Sequence, residues 1–366
     1  MLLVFIKLCS MIYQWTLLLL FCLLVSCAND KPDKSPILDL NKLDSITLEQ
    51  KEPLFGKFFE QLVISDDGNF LLLSERIKKQ IFVYKSDGKL FSIIGESGRG
   101  PSGLLEITGY DINDRDEVLI YDALQRMLKI FDIEGNLLRS VSFLENETIN
   151  PTANNIKWYN NQVVSTIYDT KVPFDETHKS SLVALADTNG NVDKVFGQFD
   201  PFSEKDKKLT FNTVSTLDKE SDLFYTNLQT SPYIYVYDLV KQKLVDKGGI
   251  QTENFKLPEK EITAYLPISQ KFELATNTSA IAHIFNTDQY VIQHMQVLTN
   301  EWFKSMDYAA KKNFLNIYNK ETLDFIQEIP VSFTPIGEQN NKLYVIKDFN
   351  PDNYIIGVYE IVAKQN

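Results

Sequence analysis

Three stretches of this chain combine residue types at spacings that chemistry could use. Gly98-x-Gly100-x-x-Gly103 has the spacing of a dinucleotide-binding turn, and it follows an apolar, strand-like run. That use requires a helix next, whose N-terminus holds the pyrophosphate inside a unit of about 30 residues. Val118-Leu119-Ile120 is already the second strand of the following unit, so no crossover helix fits. Gly95-x4-Gly100 likewise fails as a phosphate loop, because Pro101-Ser102 stands where Lys-Ser/Thr is needed. The glycines are left to turn the chain. Asp111-Ile112-Asn113-Asp114-Arg115-Asp116-Glu117 opens like a calcium loop, yet Asp116 replaces the Gly at position six and Asp122 the Glu at position twelve. A turn is the better reading. His283 and His294 are the third stretch. With Asn286–Gln289 as a turn, Phe285 pairs with Tyr290, and His294 lies diagonally from His283, about 7–8 Å away on one face. Two imidazoles without a third ligand make no metal site. His178 sits in a polar loop, and neither a G-x-S-x-G elbow nor a cysteine nucleophile supports acyl transfer. The residues therefore predict no cofactor and no metal.

These stretches sit on strands. From Gln61 onward the apolar period is two, with turn signals between short runs. Val63–Leu72 matches Asp111–Ile120 at an offset of 48, and Phe82–Leu90 matches Lys129–Leu137 at 47. Weaker copies place Tyr84, Phe131, Ala186, Tyr237, Tyr318 and Tyr359 at equivalent positions, with spacings of 47, 55, 51, 81 and 41. Six four-stranded units with a period of about 40–50 residues predict an all-β fold, a six-bladed β-propeller of antiparallel blades. The long spacing calls for an insertion, and Val297–Lys312 is read as a short helix there. The sixth unit lacks a fourth strand, and Leu43–Leu48 is an orphan apolar-polar segment. That N-terminal strand is expected to close the ring by completing the last blade, burying Leu43, Ile46 and Leu48.

At 366 residues and 44% hydrophobic content the chain can bury a large core, and its net charge of −12, with no basic stripe, argues against nucleic acid. All three cysteines lie in the first 27 residues. No charged residue occurs between Leu8 and Ser26, and Lys7 precedes that run, which is the pattern of a secretory signal. Leu24-Val25-Ser26-Cys27 resembles the lipobox of bacterial lipoproteins. The resemblance implies cleavage before Cys27, a diacylglycerol on its sulfur, and a membrane-anchored envelope protein. An uncleaved anchor is the alternative, since 19 residues almost span a bilayer. Residues 1–26 are thus read as a signal peptide, 27–36 as the lipidated Cys and tether, and 37–366 as the propeller.

The strand-turn-strand followed by Gly98-Arg99-Gly100-Pro101-Ser102-Gly103 resembles the G-x-G-P-G-E signature of bacterial six-bladed β-propeller lipoproteins, related in fold to NHL-repeat and TolB-like propellers. It departs from that signature at Ser102-Gly103. The resemblance implies a lipid-anchored protein, on the outer rather than the inner membrane, and transfers no catalytic residue. The leading expectation is a binding or scaffolding module for a protein, peptide or glycan. The alternative is a propeller lactonase or lyase with a divalent metal held by Glu, Asn and Asp on the innermost strands. The first strands Leu62–Ile64, Thr108–Ile112 and Ile156–Tyr159 show no matching ligand set. Loops joining second and third strands share one face with the links between blades. That face carries Arg76, Arg99 and Arg126, expected to bind an anionic group, and Trp302 as an aromatic platform.

Overall fold

The computed structural model describes residues 37–50, 61–75, 77–143, 147–149, 155–169, 171–172, 183–197, 212–257, 267–305, 310–348 and 354–364. Cys27, Arg76, His178 and the loop 349–353 lie outside them.

Alternation along each strand sets the architecture. In the strand Phe70–Glu75, Leu71 and Leu73 enter one apolar cluster and Leu72 enters the next. In Val118–Asp122, Val118 and Ile120 face that second cluster while Leu119 and Tyr121 face a third. A sheet apolar on both faces must be covered on both, and repetition around a ring achieves this. Six such clusters lie between successive sheets.

The sheets are six antiparallel blades. Their innermost strands are Leu62–Ile64, Ile107–Ile112, Ile156–Tyr159, Thr213–Asp218, Ser279–Asn286 and Thr334–Gln339. The residues aligned from sequence all fall on third strands. In the first five blades the pairing of third with fourth strand shifts register immediately before Tyr84, Phe131, Ala186, Tyr237 and Tyr318. The repeat seen in sequence therefore marks a β-bulge, which increases the local twist. The third blade carries an extra strand, Glu147–Ile149, paired to the far end of its second strand.

The sixth blade has the order Leu38–Thr47, Ile355–Ala363, Lys342–Asp348, Thr334–Gln339, so the N-terminal strand is its outermost member. It starts five residues earlier than expected, and its buried residues differ. Leu38 and Leu48 are each 3% exposed, Ile46 is half-buried, and Leu43 is 43% exposed. Leu38 packs into the core between blades five and six, and Leu48 into that between six and one. Leu43 falls midway, where an outermost strand has solvent on its free side. Gly88, at φ +85°, accommodates this strand, since a Cβ there would stand 2.1 Å from the Thr47 carbonyl oxygen.

The long fourth spacing holds two helices. Ile268–Ala275 precedes the fifth blade, and Asn300–Ser305 lies between its second and third strands. The Thr299 hydroxyl caps the second helix by accepting the Trp302 N–H at 3.1 Å. No helix among the described residues is long and apolar enough to cross a membrane.

Candidate functional site

Each innermost strand ends at a tight turn, and the ends of the six strands meet around the channel axis. They border a partly open cavity of about 240 Å³ lined by residues of all six blades. Charged residues lie on or just beyond the apolar inner strands there: Asp66, Asp111, Lys157, Asp218, Lys219, Glu220, Asp288, Lys320 and Glu338 line the mouth.

Most of these charges are paired. Lys219 Nζ, on the fourth blade, meets both oxygens of Asp66, on the first, at 2.8 Å each, an ion pair spanning the ring's diameter. Lys320 Nζ lies 2.8 Å from Asp218 Oδ2. The Asp218 carboxyl is held below its ordinary value, since hydrogen bonds from Lys320 and Ser221 outweigh its burial, which is the largest single influence. Asp111 Oδ2 accepts the Trp158 backbone N–H at 2.7 Å.

Lys157 and Glu338 differ. The Lys157 ammonium makes no ion pair or hydrogen bond among the described residues, and burial holds it below the ordinary lysine value, with Asp111 opposing and Lys219 reinforcing. Among the described residues, the one hydrogen bond to the Glu338 carboxyl comes from the Asn341 N–H, at 3.3 Å. Burial pushes Glu338 up to about 8, with Asp288 adding to the rise and Lys320 opposing it. Asn341 also donates to Asp288 Oδ2 at 2.6 Å and accepts the Asp288 N–H at 2.7 Å, holding the turns of blades five and six together.

The opposite face carries the sequence-predicted residues. Arg99 is exposed and, with Pro101, Leu124, Gln125 and Met127, lines an open groove of about 560 Å³. The Gly-rich loop forms one wall, closed by a short parallel pair, Glu96–Ser97 with Gly103–Leu104. Gly103 is required there, since a Cβ would lie 2.5 Å from the Gly98 carbonyl oxygen. The strand Ile107–Ile112 follows directly, as expected for a turn rather than a phosphate cradle. Arg126 is half-buried beside Tyr121; burial pushes that phenol up to about 12, and the guanidinium opposes the rise. Arg99 and Arg126 thus differ in exposure and surroundings. Trp302 packs edge-on against Phe303, ring centroids 4.7 Å apart, with Lys311 Nζ 4.7 Å from the Trp302 ring centre. The Asp111–Glu117 stretch is a turn in which Asn113 Oδ1 accepts the N–H groups of Arg115 and Glu117.

The histidines are closer than the sequence suggests. His283 pairs directly with His294, because Asn286 still pairs with Val291 and the bend is confined to Thr287–Tyr290. Their rings stack 3° from parallel with Nδ1 atoms 3.0 Å apart, and His294 Nε2 lies 3.0 Å from Asn313 Oδ1. Asn313 Oδ1 can only accept, so His294 carries its proton on Nε2 and its Nδ1 accepts from His283. Burial, then the neighbouring His283, holds His294 well below 6.5. An unfolded chain takes up this proton as pH falls past about 6.5, while the folded one resists until far lower. Stability is therefore fully present above that value and lost below it, by at most about 1.4 kcal/mol per pH unit for one proton. Thermal melts between pH 8 and 5 are expected to show this fall, and His294→Gln should flatten it.

A family model described as "6-bladed beta-propeller" (DUF5128) matches residues 37–357. The chain belongs to this family. Among solved structures, this propeller is similar to a DUF4221-family member from Bacteroides vulgatus, at 12% identity and a TM-score of 0.71, covering 91% of this chain and 100% of the other. It is also similar to a candidate exported protein from Bacteroides fragilis, at 12% identity and a TM-score of 0.60, covering 92% and 98%. At such identities the likeness concerns the fold. No curated protein sequence matches.

The channel-mouth charges do not stand out in the sequence, because each is a single charged position on or after an inner strand and their partners come from distant blades. Their signal was a charged residue within or ending an apolar inner strand, as with Lys157 after Ile156 and Asp218 after Leu217.

Proposed function

We propose that this propeller is an exported, lipid-anchored binding module whose ligand seats in the channel mouth. The observation carrying this reading is the convergence of charged side chains from all six blades on one cavity. A rigid scaffold that brings turns together at one point is where binding usually resides.

Binding is favoured over metal-dependent lactonase or lyase chemistry by the donor set. Asp66 and Asp218 are engaged by lysines, and among the described residues no group of three or more His, Cys, Asp or Glu converges as a metal would require. Export and anchoring rest on the N-terminal run and Leu24-Val25-Ser26-Cys27, with a fold relative described as exported in support. The outer membrane is the membrane proposed. Cys27→Ser is expected to abolish acyl labelling and leave a precursor of higher mass; unchanged labelling and fractionation would refute the anchor.

The binding reading is tested by thermal shift of the full-length lipoprotein in detergent against a panel of small charged compounds. Stabilisation by some compound, lost in Lys157→Met but kept in Arg99→Glu, is expected. Stabilisation lost only in Arg99→Glu would move the site to the opposite groove.

A further inference from the structure

Two groups of the mouth without an ion pair among the described residues, Lys157 and Glu338, have opposite character and lie three blades apart, which in a six-bladed ring is diametrically opposed. Lys157 comes from the third blade and Glu338 from the sixth. Along another diameter Asp66 and Lys219 satisfy each other, and Lys320 is occupied by Asp218. What remains is Lys157, with Asp111 as its acidic neighbour but no ion pair among the described residues, and across the same cavity the acid Glu338; Glu220 also lies on the lining. Asp288, tied to Asn341 beside Glu338, adds a second carboxylate to that acidic side. Asp111, the acid nearest in effect to Lys157, has one oxygen committed to the Trp158 N–H.

An anion alone would satisfy Lys157 and leave the Glu338 side unchanged. A cation alone would do the reverse. One molecule carrying both charges satisfies both sides, and charge-assisted hydrogen bonds are the stronger kind. We propose that the channel mouth binds a small zwitterion, an amino acid or short peptide, with its carboxylate on Lys157 and its ammonium on Glu338 and Asp288. This rests on the binding reading above and names the ligand class for the same cavity.

Protonation follows from the geometry. Glu338 is largely protonated near pH 7, being pushed up to about 8 by burial and by Asp288, with Lys320 opposing. An ammonium arriving beside it favours the ionised carboxylate, so Glu338 gives up its proton on binding, while a carboxylate on Lys157 favours its charged form.

The test is calorimetric titration of the full-length lipoprotein in detergent, with glycine, 4-aminobutyrate, 6-aminohexanoate and glycylglycine as zwitterions. Butyrate and butylammonium supply the single charges. At least one zwitterion should bind about tenfold or more tightly than either single-charge control, and chain length at the optimum separates amino acid from peptide. Lys157→Met and Glu338→Gln should each weaken that binding by about tenfold or more. Both variants should melt at or above the wild-type temperature, because each removes an ionisable group without an ion pair. Titrations in phosphate and in Tris should differ by the heat of net proton exchange, and the difference should change in Glu338→Gln. Butyrate binding as tightly as every zwitterion would overturn the proposal while leaving the channel-mouth reading intact, provided Lys157→Met abolishes it. Absence of binding by all six probes at about 10 mM would overturn the zwitterion proposal. If the wider charged panel also gave no shift, the channel-mouth reading would fall with it.

Discussion

A chain lacking residues 28–50 is expected to melt far below the intact protein or to aggregate, whereas one lacking only 28–35 should melt with it. The longer deletion removes the outermost strand of the sixth blade and opens the third strand's edge along Ile355–Ala363. An unpaired edge costs hydrogen bonds and invites pairing with other chains. It also withdraws Leu38 from one inter-blade core and Leu48 from the next. Full burial of such a side chain contributes about 1.5–3 kcal/mol, against a typical net stability of roughly 5–15 kcal/mol. Polar ties go too. Gln327 Oε1 accepts the Leu38 N–H at 2.8 Å, Leu48 N–H reaches the Tyr354 carbonyl at 2.9 Å, and Glu49 N–H reaches the Gly88 carbonyl at 2.8 Å. Those contacts join the strand to three successive blades, so the ring's seam depends on it. Differential scanning calorimetry of both truncations decides the matter, and equal melting temperatures would contradict closure by this strand.

Asp122→Ala should be the most damaging single substitution away from the seam, at about 3–5 kcal/mol. Asp122 is completely buried at the end of a second strand. Its carboxylate accepts the N–H of Leu105 at 2.7 Å, of Glu106 at 3.2 Å and of Gln125 at 3.2 Å, and the Gln125 side-chain amide at 2.6 Å. One side chain thereby fixes the exit of the Gly-rich loop and the turn after its own strand. Removing it strands buried donors, each costing about 1–3 kcal/mol before relaxation. It also takes away the acid that offsets burial of the Lys129 ammonium, which is held below its ordinary value. Urea denaturation should show the loss, and Lys129→Met in the Asp122→Ala background should recover part of it. A change under about 0.5 kcal/mol, the range of ordinary surface substitutions, would contradict the role.

The legible part of this protein was what repetition writes into sequence. Strand alternation, Asp/Gly turns and the recurring third-strand aromatic at Tyr84, Phe131, Tyr237 and Tyr318 gave the blade number and the closing strand. Repetition is visible because each blade solves the same packing problem against its neighbours. Departures from repetition were harder. The helix Ile268–Ala275 precedes its blade with no copy elsewhere to mark it, and Leu43 faces solvent because only the strand's two ends reach a core. His283 and His294 shifted by two residues since Asn286 stays in its strand, which composition alone does not decide. The site was least legible. Lys219 and Asp66 are 153 positions apart and meet only because blades one and four oppose each other. Lys157 and Glu338 become unusual only once their neighbours are seen to be paired.

The location of the site is open to one direct measurement. Hydrogen–deuterium exchange of the full-length protein can be compared with and without saturating glycylglycine, or with the most stabilising compound of the charged panel. Slowed exchange in the turns around Asp66, Asp218, Asp288 and Glu338–Asn341, with the Gly98–Leu105 loop unchanged, is the predicted result. Protection confined to Gly98–Leu105 and Leu124–Met127 would contradict it and place binding on the opposite face.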